Sequence, residues 1–197
     1  HGRLGSLYAT SKDGLKWEKP NLELYEFEGS KENNIIPNGP RGFIVYNPEM
    51  YGYEPEERHY KSFIWVKKEE RSGYGSIFSS DGFHWTPYSE NPVITDVGDE
   101  CPIGATSYGN FPEGVYYKDV IPPKYIALPK VGALVGKFPR RSVGLSYSSN
   151  FINWTKPVLV MAPDERDDEI GEERIREALE DGLIDIDHPA DHRAEFY

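Results

Sequence analysis

A seven-residue motif occurs three times along this chain at nearly constant spacing. It reads SKDGLKW at residues 11–17, SSDGFHW at 79–85 and SSNFINW at 148–154. Trp17 and Trp85 are 68 residues apart, Trp85 and Trp154 are 69 apart, and Pro20, Pro87 and Pro157 follow within three positions of each Trp. A fixed period of this length means one supersecondary unit used repeatedly. Each copy has the chemistry of a strand that enters a tight turn and leaves it again. The Asp or Asn bonds its own backbone and tolerates a left-handed conformation, and Gly14 and Gly82 supply positive φ at no steric cost. The Trp then sets a large apolar ring under the turn. Asp13, Asp81 and Asn150 are accordingly turn residues and not catalysts, because equivalent turns at the periphery of repeated units cannot all face one axis.

Between the motifs, apolar runs alternate with turn signals. The second unit reads as strands over 42–46, 60–66 and 72–79, with a fourth starting at Trp85. The third repeats the order, with an inner strand at 104–108 or 114–117, then strands at 124–128, 141–148 and 154–160. Strands joined by short connections in this way describe an antiparallel meander, and radially repeated four-stranded meanders are the blades of a β-propeller. The fold class expected is therefore all-β, with about two and a half blades in this chain. Residues 1–36 form the end of one blade, 37–95 the second, 96–163 the third and 192–197 the start of the next. A part-ring leaves open sheet edges, so the rest of the propeller is expected from a longer parent chain or from association.

Residues 164–191 break the strand pattern as an acidic helical insertion. Ile175, Ala178, Leu179 and Leu183 recur at helical period, Asp167 or Asp168 can cap the start, and Gly182 can end it, which predicts a helix over 169–181. The formal net charge is −11, but residues 164–195 alone hold fourteen Asp or Glu against four Arg. The remainder is nearly neutral, and neither part has the basic stripe that nucleic acid requires. No apolar run approaches the roughly 18–20 residues of a membrane span, and no signal-peptide pattern occurs. Neither nucleic acid nor membrane is an expected partner, and the compartment stays open. Cys101 is the single cysteine, which leaves no disulfide framework, and His59, His84, His188 and His192 lack metal-ligand spacing. No cofactor or tightly bound metal is expected, although a propeller channel has room for a central Ca²⁺.

The stretches YATSKDGLKWEKPNLELYEFEGSKENNII (8–36), FSSDGFHW (78–85) and RRSVGLSYSSNFINWTKPVLVMAPDE (140–165) resemble the five-bladed propeller glycoside hydrolases. This is the superfamily of invertases, levansucrases and arabinanases, and the resemblance is to its family 32 N-terminal-like and family 43-like members. It implies a central funnel with three carboxylates on inner strands, acting on furanosides or related carbohydrate. The Asn-Asp-Pro core of the invertase nucleophile motif does not occur here, which leaves the nucleophile unassigned.

Glycoside cleavage needs one protonated carboxyl as acid and one ionised as base or nucleophile, roughly 5–5.5 Å apart for retention and 6.5–9.5 Å for inversion. Glu100, in a Glu-Cys-Pro trio that resembles the family's acid/base motif, is the candidate general acid. Asp99 stands where related proteins carry an inner-strand Asp, and Glu195 is a third candidate carboxylate. Adjacent strand residues point to opposite faces, so Asp99 and Glu100 share the funnel only if the backbone bulges. The bland alternative makes Asp96, Asp99 and Glu100 a solvated loop. Asn47 and Asn38 could hydrogen-bond a sugar at the second blade, and His192 and Arg193 could do so beside Glu195. A non-catalytic glycan-binding propeller and a protein-interaction propeller docking through the acidic helix are the competing readings.

Overall fold

A computed structural model of the chain describes residues 5–40, 43–46, 55–68, 71–98, 104–107, 125–135 and 138–183. The fold is mostly β, with antiparallel sheets of four strands and one helix. In the first unit, β1 (Ser6–Leu7) pairs antiparallel with β2 (Ile35–Ile36). In the second, β3 (Val45–Tyr46), β4 (Tyr60–Lys67), β5 (Ser72–Ser79) and β6 (Thr86–Pro87) pair in sequence order. In the third, β7 (Gly104–Ser107), β8 (Tyr125–Leu128), β10 (Phe138–Ser148) and β11 (Val158–Met161) follow the same path, and β9 (Lys130–Val135) adds to β10. The single helix among the described residues is α1 (Glu165–Glu180).

The second sheet is buried on both faces, and its sequence shows why. β4 and β5 pair without a break from Tyr60↔Ser79 to Lys67↔Ser72, and opposite residues share a face. Ile64, Ile77 and Tyr60 lie on one face with Trp85, where they meet Ile36, Tyr8 and Leu22 of the first unit. Phe63, Tyr74 and Phe78 lie on the other and meet Tyr125, Ala127 and Phe151 of the third. Each strand alternates between two cores; in β4 this gives the apolar run 63–66 of a strand covered on both sides, while β5 buries small Gly and Ser between Tyr74, Ile77 and Phe78.

Phe151 is the centre of the second of these cores. It occupies the position of Gly14 and Gly82 in the repeat and takes the same left-handed backbone, with φ of 62° against 75° and 81°. For a bulky residue this conformation costs about 1–2 kcal/mol. The gain is a fully buried ring, stacked on Phe63 at 4.8 Å and edge-on to Tyr125 at 5.2 Å. The Ser76 hydroxyl of β5 donates to the Phe151 carbonyl at 2.5 Å. In the other two turns that carbonyl accepts the indole N–H, from Trp17 at 3.2 Å and Trp85 at 2.8 Å. With the acceptor engaged by Ser76, the Trp154 indole N–H is buried without a hydrogen-bond partner.

Four details depart from the sequence reading. Trp17 does not share the burial of its equivalents: it is 61% exposed where Trp85 is 8%, because no described sheet lies against the first turn. β9 falls in a stretch with no predicted strand and forms a hairpin with β10 through six residue pairs. The helix starts four residues early, at Glu165. Its N-cap is Asp164, whose carboxylate accepts from the Arg166 and Asp167 amides while Asp167 returns the bond to the Asp164 amide. This reciprocal box is stronger than a single cap at Asp167 or Asp168. Ile175 is buried and Leu183, beyond the left-handed Gly182, is 74% exposed, so the apolar stripe stops one turn short. The first strand of the third unit is at 104–107; residues 114–117, like 192–197, lie outside the described residues.

Replacing Trp85 with Ala is expected to cost about 3–5 kcal/mol, and the same change at the exposed Trp17 within about 0.5 kcal/mol. Urea unfolding of the two variants measures this difference, and equal losses would show that the first turn is covered as the second is.

Candidate functional site

The repeated turns are hydrogen-bonded alike in all three units. Ser11, Ser79 and Ser148 each donate a hydroxyl to the Asp or Asn two residues on, at 3.1, 3.0 and 3.2 Å. That side chain accepts the amides two and three residues further, from Leu15 and Lys16, Phe83 and His84, and Ile152 and Asn153, all at 2.8–3.0 Å. Asp13 is held below the usual carboxylate range by the Lys16 and Leu15 amides and the Ser11 hydroxyl. At Asp81, burial pushes the carboxyl up, but the His84 amide and ring, the Phe83 amide and the Ser79 hydroxyl together pull it well below that range. With Oδ1 of each so engaged, these groups serve the turn.

The chain leaves each sheet by a second recurring device. Ile36 crosses Ser6 in the first unit and Ile94 crosses Tyr74 in the second. A Cβ on Gly5 would lie 2.1 Å from the Ile36 carbonyl oxygen and one on Gly73 2.0 Å from that of Ile94, so only glycine allows the crossing. Two residues later the backbone turns left-handed, at Asn38 (φ 55°) and at Asp96 (φ 60°). These residues are equivalent and exposed. The Asp96 carboxylate faces the Lys156 ammonium at 3.4 Å, and the Gly98 amide then donates to the Lys130 carbonyl of the third sheet at 2.7 Å. The connection has thus reached the third sheet immediately before Asp99.

Of the predicted site residues, Asn38 alone is described. It lies in a tight turn closed by the Gly39 amide on the Ile36 carbonyl, with its side chain exposed. Glu100, Asp99, Glu195, Asn47, His192 and Arg193 lie outside the described residues. Among the described residues no group of His, Cys, Asp and Glu gathers to hold a metal, and no helix is long and apolar enough to cross a membrane.

A feature that the sequence does not announce lies at the opposite end of β5. A cleft of about 520 Å³ opens between the 3-10 turn Glu56–Arg58 and the turn after Ser79, lined by Arg58, Phe78, Ser80, His84, Thr86 and Tyr88 among others. The Arg58 guanidinium lies 5.0 Å over the Phe78 ring. His84, in the lining, meets the Asp81 carboxylate through Nδ1 at 2.6 Å. The Tyr88 phenol is pushed up by burial and by Glu90, with the Arg58 charge acting against them. Behind this wall Lys61 is wholly buried, donates to the Arg58 carbonyl and lies 5.6 Å over the Tyr125 ring. The signal for Arg58 was slight: one cation in an acidic run before a strand, with its aromatic partner twenty residues away.

Compared with known proteins, the chain matches no family model, no curated protein and no solved structure.

Asp81 carries a pH dependence. A carboxyl whose folded pKa is depressed contributes stability above its unfolded value of about 3.9, and this is lost as pH falls toward the folded value. Asn150 makes the same turn without a charge, so Asp81→Asn should fold and lose this dependence. The stability advantage of the parent over Asp81→Asn, measured by urea unfolding, should shrink between about pH 5 and about pH 3. An advantage constant over that range would contradict the bonding described.

Proposed function

We propose that the chain forms consecutive blades of a five-bladed-type β-propeller that hydrolyses or transfers glycosyl units with axial carboxylates. The observation that carries this reading is the connection at 96–98. After the left-handed turn at Asp96, the Gly98 amide binds the third sheet, and Asp99 and Glu100 follow on the way into the inner strand β7. In a propeller this is the path along which the chain approaches the axis. Glu100 is the general acid in this proposal, with Asp99 or an Asp outside this chain holding the opposing charge. Asn38, at the equivalent turn one sheet earlier, offers its exposed amide to the substrate. The exposed apolar residues at either end of the stack, Leu15 and Trp17 on one side and Leu128, Tyr147 and Val158 on the other, are faces for further blades from a longer parent chain or from association.

One observation favours a second reading, a glycan-binding propeller without catalysis. Tyr46 and Tyr60 stack at 4.4 Å and Tyr46 is 56% exposed, an aromatic platform of the kind on which a sugar ring can rest.

The two readings separate on Glu100→Gln in the full-length protein, assayed on an aryl furanoside and on a furanoside with a poor leaving group. Loss of a general acid should cost about 10²–10⁴-fold on the poor leaving group and far less on the aryl substrate. Equal activity of parent and variant on both substrates would end the assignment of Glu100.

A further inference from the structure

We infer that the cleft between Arg58 and the turn after β5 binds the anionic group of a small hydroxylated ligand, a sugar acid or a sugar phosphate. Among the described residues Arg58 forms no ion pair: those present join His84 to Asp81, Lys156 to Asp96 and Arg176 to Glu173. Its guanidinium lies 5.0 Å over the Phe78 ring, a contact that holds it at the cleft wall before any ligand arrives. A guanidinium fixed in this way matches a carboxylate or phosphate through two parallel N–H donors. The cleft, at about 520 Å³, is within the range of small-molecule sites.

The remaining lining gives the ligand its second half. Ser80 and Thr86 present hydroxyls, which donate or accept as a sugar hydroxyl requires, and Tyr88 adds an aromatic surface. His84 contributes its ring, oriented by the Asp81 carboxylate. Glu57 is the one carboxylate in the lining, with Glu90 acting on the Tyr88 phenol, and the Arg58 guanidinium is the group there that favours an anion.

A second observation points to the same chemistry. The first unit has a cleft of about 320 Å³ at the corresponding turn, lined by Thr10, Ser11, Lys12, Asp13, Lys16 and Glu18. Lys12 and Lys16 occupy the repeat positions of Ser80 and His84. At the shared position of His84 and Lys16 both turns thus place a side-chain nitrogen beside a cleft. The inference is independent of the glycosidase reading, because the cleft is at the Ser79 end of β5 whereas Asp96 leaves the sheet beside Tyr74.

The test is calorimetric titration of the full chain with glucuronate, glucose 6-phosphate, inorganic phosphate and glucose. At least one of the two anionic sugars should bind about tenfold or more tightly than glucose, and their order identifies carboxylate or phosphate as the anchor. Arg58→Gln should weaken that sugar about tenfold or more. Thr86→Val, which leaves the Arg58–Phe78 stack in place, should weaken it about threefold and leave inorganic phosphate unchanged. If Arg58→Gln does not fold, the Arg58 Nε–H resonance of the parent should shift on saturation with the better sugar. No binding of either anionic sugar up to about 50 mM, affinity no better than for glucose, full affinity in a folded Arg58→Gln, or an unmoved Arg58 resonance would each overturn the inference.

Discussion

The structure depends on one contact made between sheets, the seating of a turn from one unit in the face of the sheet before it. Phe151 is its clearest instance. The ring lies against Phe63 and Phe78 of the second sheet and Tyr125 of the third, and its carbonyl is fixed by Ser76. The same turn in the second unit carries Gly82, and there Phe83 and Trp85 do the seating, Phe83 edge-on to Tyr8 at 5.2 Å and Trp85 in the core with Ile36. A glycine and a phenylalanine thus serve equivalent positions by different means. Glycine makes the left-handed turn cheap and leaves the packing to its neighbours; phenylalanine accepts the backbone strain and supplies the packing itself.

That arrangement explains which parts of the fold were legible in the sequence. β5 is bounded at both ends as the residues predict, because the Ser–x–Asp–Gly turn stops it after Ser79, although between its apolar residues it buries the small Gly73, Gly75 and Ser76. β9 was hidden by Gly132, a poor strand residue, and by its position in a hairpin with β10 that lies outside the repeat. The helix start was misplaced because the reciprocal Asp164–Asp167 box lies in an acidic run with three further acids, Glu165, Asp168 and Glu169. Trp17 shows the limit most plainly. Its motif is that of Trp85, but burial is decided by what lies across from the turn, and a local motif does not carry that information.

The site was less legible than the fold for a related reason. Asn38 was singled out as a possible sugar ligand, and its equivalence to Asp96 emerges only when the Gly5 and Gly73 crossings are seen to match. Arg58 owes its role to an aromatic residue on another strand, and Lys61, buried behind it, sits in a strand whose charge gave no hint of burial. The turn carboxylates, recurrent and eye-catching in the sequence, are consumed by backbone amides. Recurrence marked structure here, and the cations that face open space had no pattern to reveal them.

The central claim is that successive units stack through their turns, and a double-mutant cycle between Phe63 and Phe151 tests it most directly. The rings come from different sheets and touch only if the turn of the third unit is seated in the second. Phe63→Ala and Phe151→Ala, alone and together, should show a coupling of about 1 kcal/mol or more in urea unfolding. Strictly additive losses would contradict a shared core and with it the stacking of the repeat.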